Sequence, residues 1–553
     1  MTSTLGPRPP TNAASARRAA FALASLLLAA VLAAACNGGS VDSPATPTAT
    51  ALAVTPADGA TAPAERVIDL ASEKATSVIW GADGGDYFND LPALATGDIN
   101  GDGLQDVLIG ARFGDGPDNA REDSGEAYVI FGARQLPAAV DLAAGEQDLT
   151  IYGAGPDDNL GFAAVLADVN GDKRDDLILG APFARRQDDH SPAGAVYVFF
   201  GGRGLAGVVD LAETEADVTL VGPEANSYLG DSLASTDTNG DRIADIVVGA
   251  TFARHQPEPQ ARQAQVGAVY VVFGAADLGG SRDMLRGEYD AAVFGAEEFD
   301  ELGDNVAAGD VNGDEIGDII MTAEAADGPD NARSVAAEVY VLYGSQDLSG
   351  TLEIHQGDQD VTLLGAEEND TLGFNVAAGD VNGDGVDDIL MTARLADGPG
   401  NEAPEAGEVH IVLGGDSLPS SIDLAAGESD AFIHGANAAD FLGGSLGTVD
   451  LDGDGRLELF TSAPLGDGPG DGRVDSGEVY VLDASGLRGG VHILGTQLKL
   501  VVYGAQAGDN WGAAVAAGDL DGDGTPELIG LAVKGDGPEG ARPDAGQLYI
   551  LKP

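Results

Sequence analysis

The chain has a single cysteine, Cys36, in 553 residues, so no disulfide can form within it and the fold must be stapled by something other than sulfur. Its six histidines stand one by one, without the H-E-x-x-H or comparable spacing that gathers zinc, which argues against a transition-metal site. Positive charge is also scarce: 27 lysines and arginines face 91 aspartates and glutamates, a formal net charge of −64. A surface of that sign repels phosphate backbones and acidic membranes, so nucleic-acid binding is excluded as a function class. No catalytic constellation stands out either, because carboxylates are too abundant for any pair of them to be diagnostic. The stretch Gly443-Gly444-Ser445-Leu446-Gly447 has the G-x-S-x-G form of a nucleophile elbow. That elbow needs a strand running into a helix, however, and the stretch aligns instead with Gly161-Phe162-Ala163 of the repeat described next. The chain is expected not to be an enzyme.

What the sequence has in excess is one acidic loop, repeated seven times. The first copy reads Asp98-Ile99-Asn100-Gly101-Asp102-Gly103-Leu104-Gln105-Asp106, and the others begin at Asp168, Asp237, Asp310, Asp380, Asp450 and Asp519, roughly 69 to 73 residues apart. So regular a period signals a repeat architecture. Oxygen-bearing side chains occupy positions 1, 3, 5 and 9, and position 7 offers its backbone carbonyl, the alternation that wraps a tight loop around a hard cation such as calcium.

The candidate ligands are therefore Asp98, Asn100, Asp102, Leu104 and Asp106 in the first loop; Asp168, Asn170, Asp172, Arg174 and Asp176 in the second; Asp237, Asn239, Asp241, Ile243 and Asp245 in the third; and Asp310, Asn312, Asp314, Ile316 and Asp318 in the fourth. The fifth contributes Asp380, Asn382, Asp384, Val386 and Asp388, the sixth Asp450, Asp452, Asp454, Arg456 and Glu458, and the seventh Asp519, Asp521, Asp523, Thr525 and Glu527. Up to seven calcium ions are expected. Glycine stands at position 4 of every copy, where the chain must turn sharply. Loops six and seven carry four carboxylates where the others have asparagine at position 3, so they are expected to bind most tightly. Loops two and three carry Lys173 and Arg174, or Arg242, whose charge opposes a cation, and are expected to bind most weakly.

Between the loops each unit repeats one order of signals. In the second these are Val140 to Asp141, Leu149 to Gly153, Gly161 to Asp168, Asp176 to Pro182 and Gly194 to Gly201, and the β-branched and aromatic runs read as four short strands. Segments such as Leu160-Gly161-Phe162 and Leu372-Gly373-Phe374, with Gly180-Ala181-Pro182, resemble the FG-GAP repeat of integrin α-chain propellers. The resemblance covers about residues 66 to 553 and implies an all-β, seven-bladed β-propeller of four-stranded antiparallel blades. The last unit stops after its third strand, Gln547 to Leu551, and the segment Val67 to Trp80 aligns with the missing one. Residues 67 to 80 are therefore expected to close the ring. No transmembrane helix or integrin-like leg domain is expected.

Ahead of the repeats, Arg17 and Arg18 precede an apolar run from Ala19 to Ala35, the form of a secretory signal over residues 1–35. Cys36 follows Ala33-Ala34-Ala35 and resembles the lipidated cysteine of bacterial lipoproteins, although the nearest leucine, Leu32, lies four rather than three residues before it. Residues 36–65 have the Pro, Thr, Ala, Ser and Gly composition of a flexible spacer. These features predict export, attachment at the cell envelope or surface, and membrane contact only through a lipid on Cys36.

In an antiparallel blade, successive turns lie at opposite ends. The acidic loops should thus rim one face of the ring and the long loops crown the other. Five units carry long loops like Gly114-Asp115-Gly116-Pro117-Asp118-Asn119, whereas units two and three carry Arg185, Arg186, His190, Arg254, His255 and Arg262. That cationic segment on an acidic molecule is the candidate contact for an anionic partner such as a sulfated or uronic glycan, though the same residues can simply pair with neighbouring acidic loops. The expected function is a calcium-binding recognition or adhesion module for extracellular protein or polysaccharide. The alternatives are a polysaccharide lyase or hydrolase on a propeller scaffold, and a structural cell-surface component.

Overall fold

The apolar runs between the acidic loops are four to eight residues long, rich in Val, Ile and Leu and bounded by Gly and Asp, so they are too short for helices and well suited to strands. A computed structural model describes residues 64–84, 93–186, 191–255 and 263–553. The signal, Cys36, the spacer up to residue 63, His190 and Arg262 lie outside the described residues. The repeats form seven sheets in a ring, a β-propeller. In blade 1 the strands Leu94–Gly97, Asp106–Ala111, Glu126–Ile130 and Leu149–Tyr152 pair antiparallel in that order. The second strand of this blade is buried along its whole length.

Each blade has five strands rather than four. On its way from the third to the fourth strand of one blade, the chain visits the outer edge of the preceding blade and pairs there in parallel. Gly207–Asp210 does so against Leu149–Tyr152, and Gly280–Asp283 against Val218–Val221. These visiting strands are short and largely exposed, as Gly207–Asp210 shows, so hydrophobic pattern barely marks them. Their position follows from backbone pairing with the neighbouring edge.

The same rule explains closure. Had the chain run on past Leu551, its next piece would have visited blade 6 and then returned to blade 7. The N-terminal segment supplies both parts: Arg66–Asp69 pairs in parallel with blade 6, Arg66 opposite Leu500, and Ser77–Trp80 pairs antiparallel with blade 7, Ile79 opposite Leu548. The expected closing pair is thus present, and a second sheet is engaged as well.

The hydrophobic clusters lie between blades. Leu108, Val129 and Ile151 of blade 1 pack with Leu177 and Leu179 of blade 2, so each sheet buries its faces only against its neighbours.

Candidate metal loops and the opposite face

All seven acidic loops join the innermost strand of a blade to its second strand. In the first, the Asp98 carboxylate accepts the backbone N–H groups of Gly101, Asp102 and Gly103 at 2.8, 3.0 and 2.9 Å, which closes the loop around position 1. The position-7 amide donates to the position-5 carboxylate in every loop, from Leu104 N to Asp102 in the first through Thr525 N to Asp523 in the last. The position-4 glycines take φ from 71° to 79°, the left-handed conformation that side chains resist. At position 6 loops two, three and four place Lys173, Arg242 and Glu315 in that same region, with φ of 70°, 74° and 69°, where the other loops have glycine.

Position 9 lies beneath each loop, and all seven of its carboxylates are buried. Burial pushes Asp106, Asp176 and Asp318 up to about 7 and Asp245 and Asp388 up to about 6, and it raises Glu458 and Glu527 as well. A cation beside such a group would offset the cost of its desolvation. In loops one to five the position-3 asparagine supplies part of that compensation, its Nδ2 donating to the position-9 carboxylate at 3.0 to 3.3 Å.

Loops six and seven differ. Among the described residues, the two groups of three acidic side chains able to hold a metal ion are Asp450, Asp452 and Glu458, and Asp519, Asp521 and Glu527, each with oxygens within 4.8 Å of one another. Both loops also contain a buried carboxylate oxygen with no hydrogen-bond donor, Asp450 Oδ1 and Glu527 Oε1. Convergent acidic oxygens with one left unbonded suit a hard cation. Successive loops are also stitched together: the position-8 amide donates to the first carbonyl of the preceding loop at five junctions, as Asp175 N does to Asp98 O at 3.1 Å. Loop seven has Pro526 at this position and no N–H to give.

The long loops on the opposite face carry a device that sequence reading missed. Arg121 reaches from its loop to the visiting strand of its blade and binds Asp210 through two nitrogens, at 2.8 and 2.9 Å. Arg333 holds Asp423 through two nitrogens as well, Arg473 holds Asp69 through Nη2, and Arg542 Nη2 lies 2.7 Å from Asp141 Oδ1. Each of these arginines follows the proline of its loop by four residues, the signal that could have revealed it. Arg186 is the equivalent in blade 2: it is buried, its Nη2 lies 2.8 Å from Asp283 Oδ2, and it also donates to Gly222 O. In blade 3 His255 takes that place, 3.1 Å from Glu353 and stacked on Phe294. Blade 5 has Ala403 at the arginine's position and His492 at the aspartate's. Of the cationic residues singled out by sequence, Arg186 and His255 thus tie strands together. Arg185 and Arg254 point outward, Arg185 only 3.7 Å from Asp157.

On this same face the starts of all seven inner strands surround an axial cavity of about 420 Å³, lined by Phe162, Phe374, Asn305, Asn375, Asp231, Asp304 and Glu324 among others. Burial pushes Asp231 up to about 7, and Glu301 beside it to about 7. Asp304 and Glu324 share a hydrogen bond, and burial raises both. Asp231 and Asp304 follow Leu-Gly pairs at the position held elsewhere by Phe162 and Phe374, a substitution visible in the sequence. Ser445 of the G-x-S-x-G stretch immediately precedes the strand Leu446–Val449, and its hydroxyl accepts from Val515 N at 3.1 Å.

The ring and its loops define a propeller of the FG-GAP class. The FG-GAP repeat family matches residues 92–130, 160–199, 229–272, 372–412 and 442–482, and the repeats of blades 4 and 7 complete the circle. The chain carries FG-GAP repeats, and its propeller is integrin-like. It is similar to phosphatidylinositol-glycan-specific phospholipase D of Homo sapiens, 28% identical over 384 residues that make up 67% of this chain and 42% of that protein. It is also similar to integrin alpha pat-2 of Caenorhabditis briggsae, 30% identical over 253 residues, 43% of this chain and 18% of the relative. Integrin alpha-PS2 of Drosophila melanogaster is 27% identical over 279 residues, 49% of this chain and 18% of the relative. The chain spans less than half the length of each of these relatives. Among the described residues, no helix is long and apolar enough to cross a membrane.

Proposed function

We propose that this propeller is a calcium-loaded, exported recognition or adhesion module for an extracellular protein or polysaccharide, held at the cell surface through Cys36. The observation that carries the calcium reading is the pair of converging carboxylate sets in loops six and seven, each with a buried oxygen that no donor satisfies. Both sets suit an ion that takes six to eight oxygens in loose geometry. With such ions bound, the loops act as staples on the turns of a fold that has no disulfide. Recognition falls to the opposite face, where Arg185 and Arg254 stand exposed on adjacent blades and offer an anionic glycan its contact. Similarity to integrin α chains supports a binding role. Similarity to a phospholipase over two thirds of this chain keeps a catalytic reading in view. One experiment separates the two: the calcium-loaded chain is applied to extracellular glycans and matrix proteins, with an EDTA control and product analysis of every hit. Saturable, calcium-dependent binding without turnover is expected, and bond cleavage would replace adhesion with catalysis.

A further inference from the structure

Loops six and seven carry one more carboxylate than the others, and each also receives a lysine. Lys499 Nζ lies 2.9 Å from Asp452 Oδ2. In loop seven Lys552 Nζ is placed more centrally, 2.7 Å from Asp521 Oδ2, in contact with Asp523 and 3.7 Å from Glu527 Oε1. Those three residues are positions 3, 5 and 9, so the ammonium sits among side chains that the calcium reading assigns to the ion. Loops one to five have an asparagine amide bonded to position 9, and in loops six and seven, where that amide is missing, a lysine stands close by.

We propose that Lys552 is a displaceable counter-cation of the seventh loop, which calcium expels on binding; the inference rests on the calcium reading above. The ammonium satisfies Asp521 and Asp523 but leaves Glu527 Oε1 beyond hydrogen-bonding distance and without a donor. An ion bound to the same oxygens at about 2.3 to 2.6 Å would overlap the position of Nζ, so the two cations exclude one another. Expulsion needs no backbone movement, because the Lys552 side chain is 38% exposed and can swing into solvent. Its backbone N–H donates to Thr76 Oγ1 at 3.2 Å, next to the closing strand. Metal loading of the last blade therefore releases a positive charge at the seam of the ring, and Lys552 lowers the affinity of a loop whose carboxylate count would otherwise make it among the tightest.

The test is calorimetric calcium titration of the full chain as wild type, Lys552→Met and Glu527→Gln, the last to identify the binding step that belongs to loop seven. In parallel, the Lys552 resonance is followed by NMR of 13C-dimethylated lysines in the otherwise unaltered chain. Losing a competing ion pair of this kind should tighten the loop-seven step up to about fivefold in Lys552→Met and leave the other steps in place. The Lys552 signal should move toward that of a free lysine as calcium is added. A loop-seven affinity that is unchanged or weaker in Lys552→Met, or a resonance that ignores calcium, overturns the proposal while the calcium reading stands. No calcium bound at loop seven in either chain overturns both.

Discussion

Deleting residues 66–80 should unfold the ring. Three apolar side chains of that segment are buried, Ile68 at 2%, Leu70 at 9% and Ile79 at 0% exposure. Burial of such side chains is worth about 1.5–3 kcal/mol each, or about 5–9 kcal/mol together. The deletion also removes the partner of Arg473 and strips two sheet edges, Gln497–Tyr503 and Gln547–Leu551, of their pairing strands. A whole domain is typically stable by about 5–15 kcal/mol, so the loss consumes most of what holds the propeller together. The assay is urea unfolding followed by circular dichroism and by the fluorescence of Trp511, which is buried where blades 6 and 7 meet. Ile79→Ala should lose about 2–5 kcal/mol, and Leu108→Ala inside blade 1 serves as the matched control. The deletion should abolish the cooperative transition. A deleted chain that still unfolds cooperatively, with its midpoint within about 0.5 M urea of the intact chain, would refute the reasoning, since the slope of the transition scales with the surface buried.

Glu458→Gln should remove one of the tightest calcium-binding steps in calorimetry and Glu527→Gln the step that belongs to loop seven, and EDTA should lower the melting temperature of the parent more than that of the double variant. At tenfold saturation each bound site adds about 1.4 kcal/mol. Arg473→Ala should cost about 1.5–3 kcal/mol, because it leaves Asp69 without its charged partner, whereas Arg254→Ala on the exposed surface should stay within about 0.5 kcal/mol; urea midpoints decide. In chelator, stability should fall as pH rises from 5 to 8. Asp231 and Glu301 titrate near 7 in the folded chain and near 4 when unfolded, so the folded state holds protons that the unfolded state has released. The stability they contribute is complete below about pH 4 and lost as pH passes 7. Asp231→Asn should make that slope shallower, and an unchanged slope would remove the axial carboxylates from the account.

The ring was legible because its signals are periodic and chemical. Seven phased loops fixed the blade count, and the unfinished last repeat pointed to residues 67–80 as its missing strand. The fifth strands were not legible: Gly207-Val208-Val209-Asp210 has neither length nor burial to mark it, and its place is set by backbone pairing with a sheet that the chain had already built. The same limit applied to Arg186 and His255. As charges in a loop they resembled a binding patch, and only the three-dimensional position of Asp283 and Glu353 shows what they hold. The acidic spacing of the loops, down to the extra carboxylates of copies six and seven, stands in the sequence itself. The approach of Lys499 and Lys552 could not be read, since Lys499 lies 47 positions from Asp452 and Lys552 lies 31 from Asp521.

The divided seam has a consequence for how the molecule is made. Residues 66–80 are synthesised early, but the strands they join, Gln497–Tyr503 and Gln547–Leu551, are among the last to appear. At a translation rate of about 5–20 residues per second, the early segment waits about 20 to 90 seconds without its partners. Contacts so distant along the chain form slowly. Once the late strands appear, their two edges stay open until the segment docks, and a second copy could supply the waiting strand as well as the first. Fidelity of assembly is therefore decided at the end of synthesis, by whether a chain finds its own beginning before it finds another's.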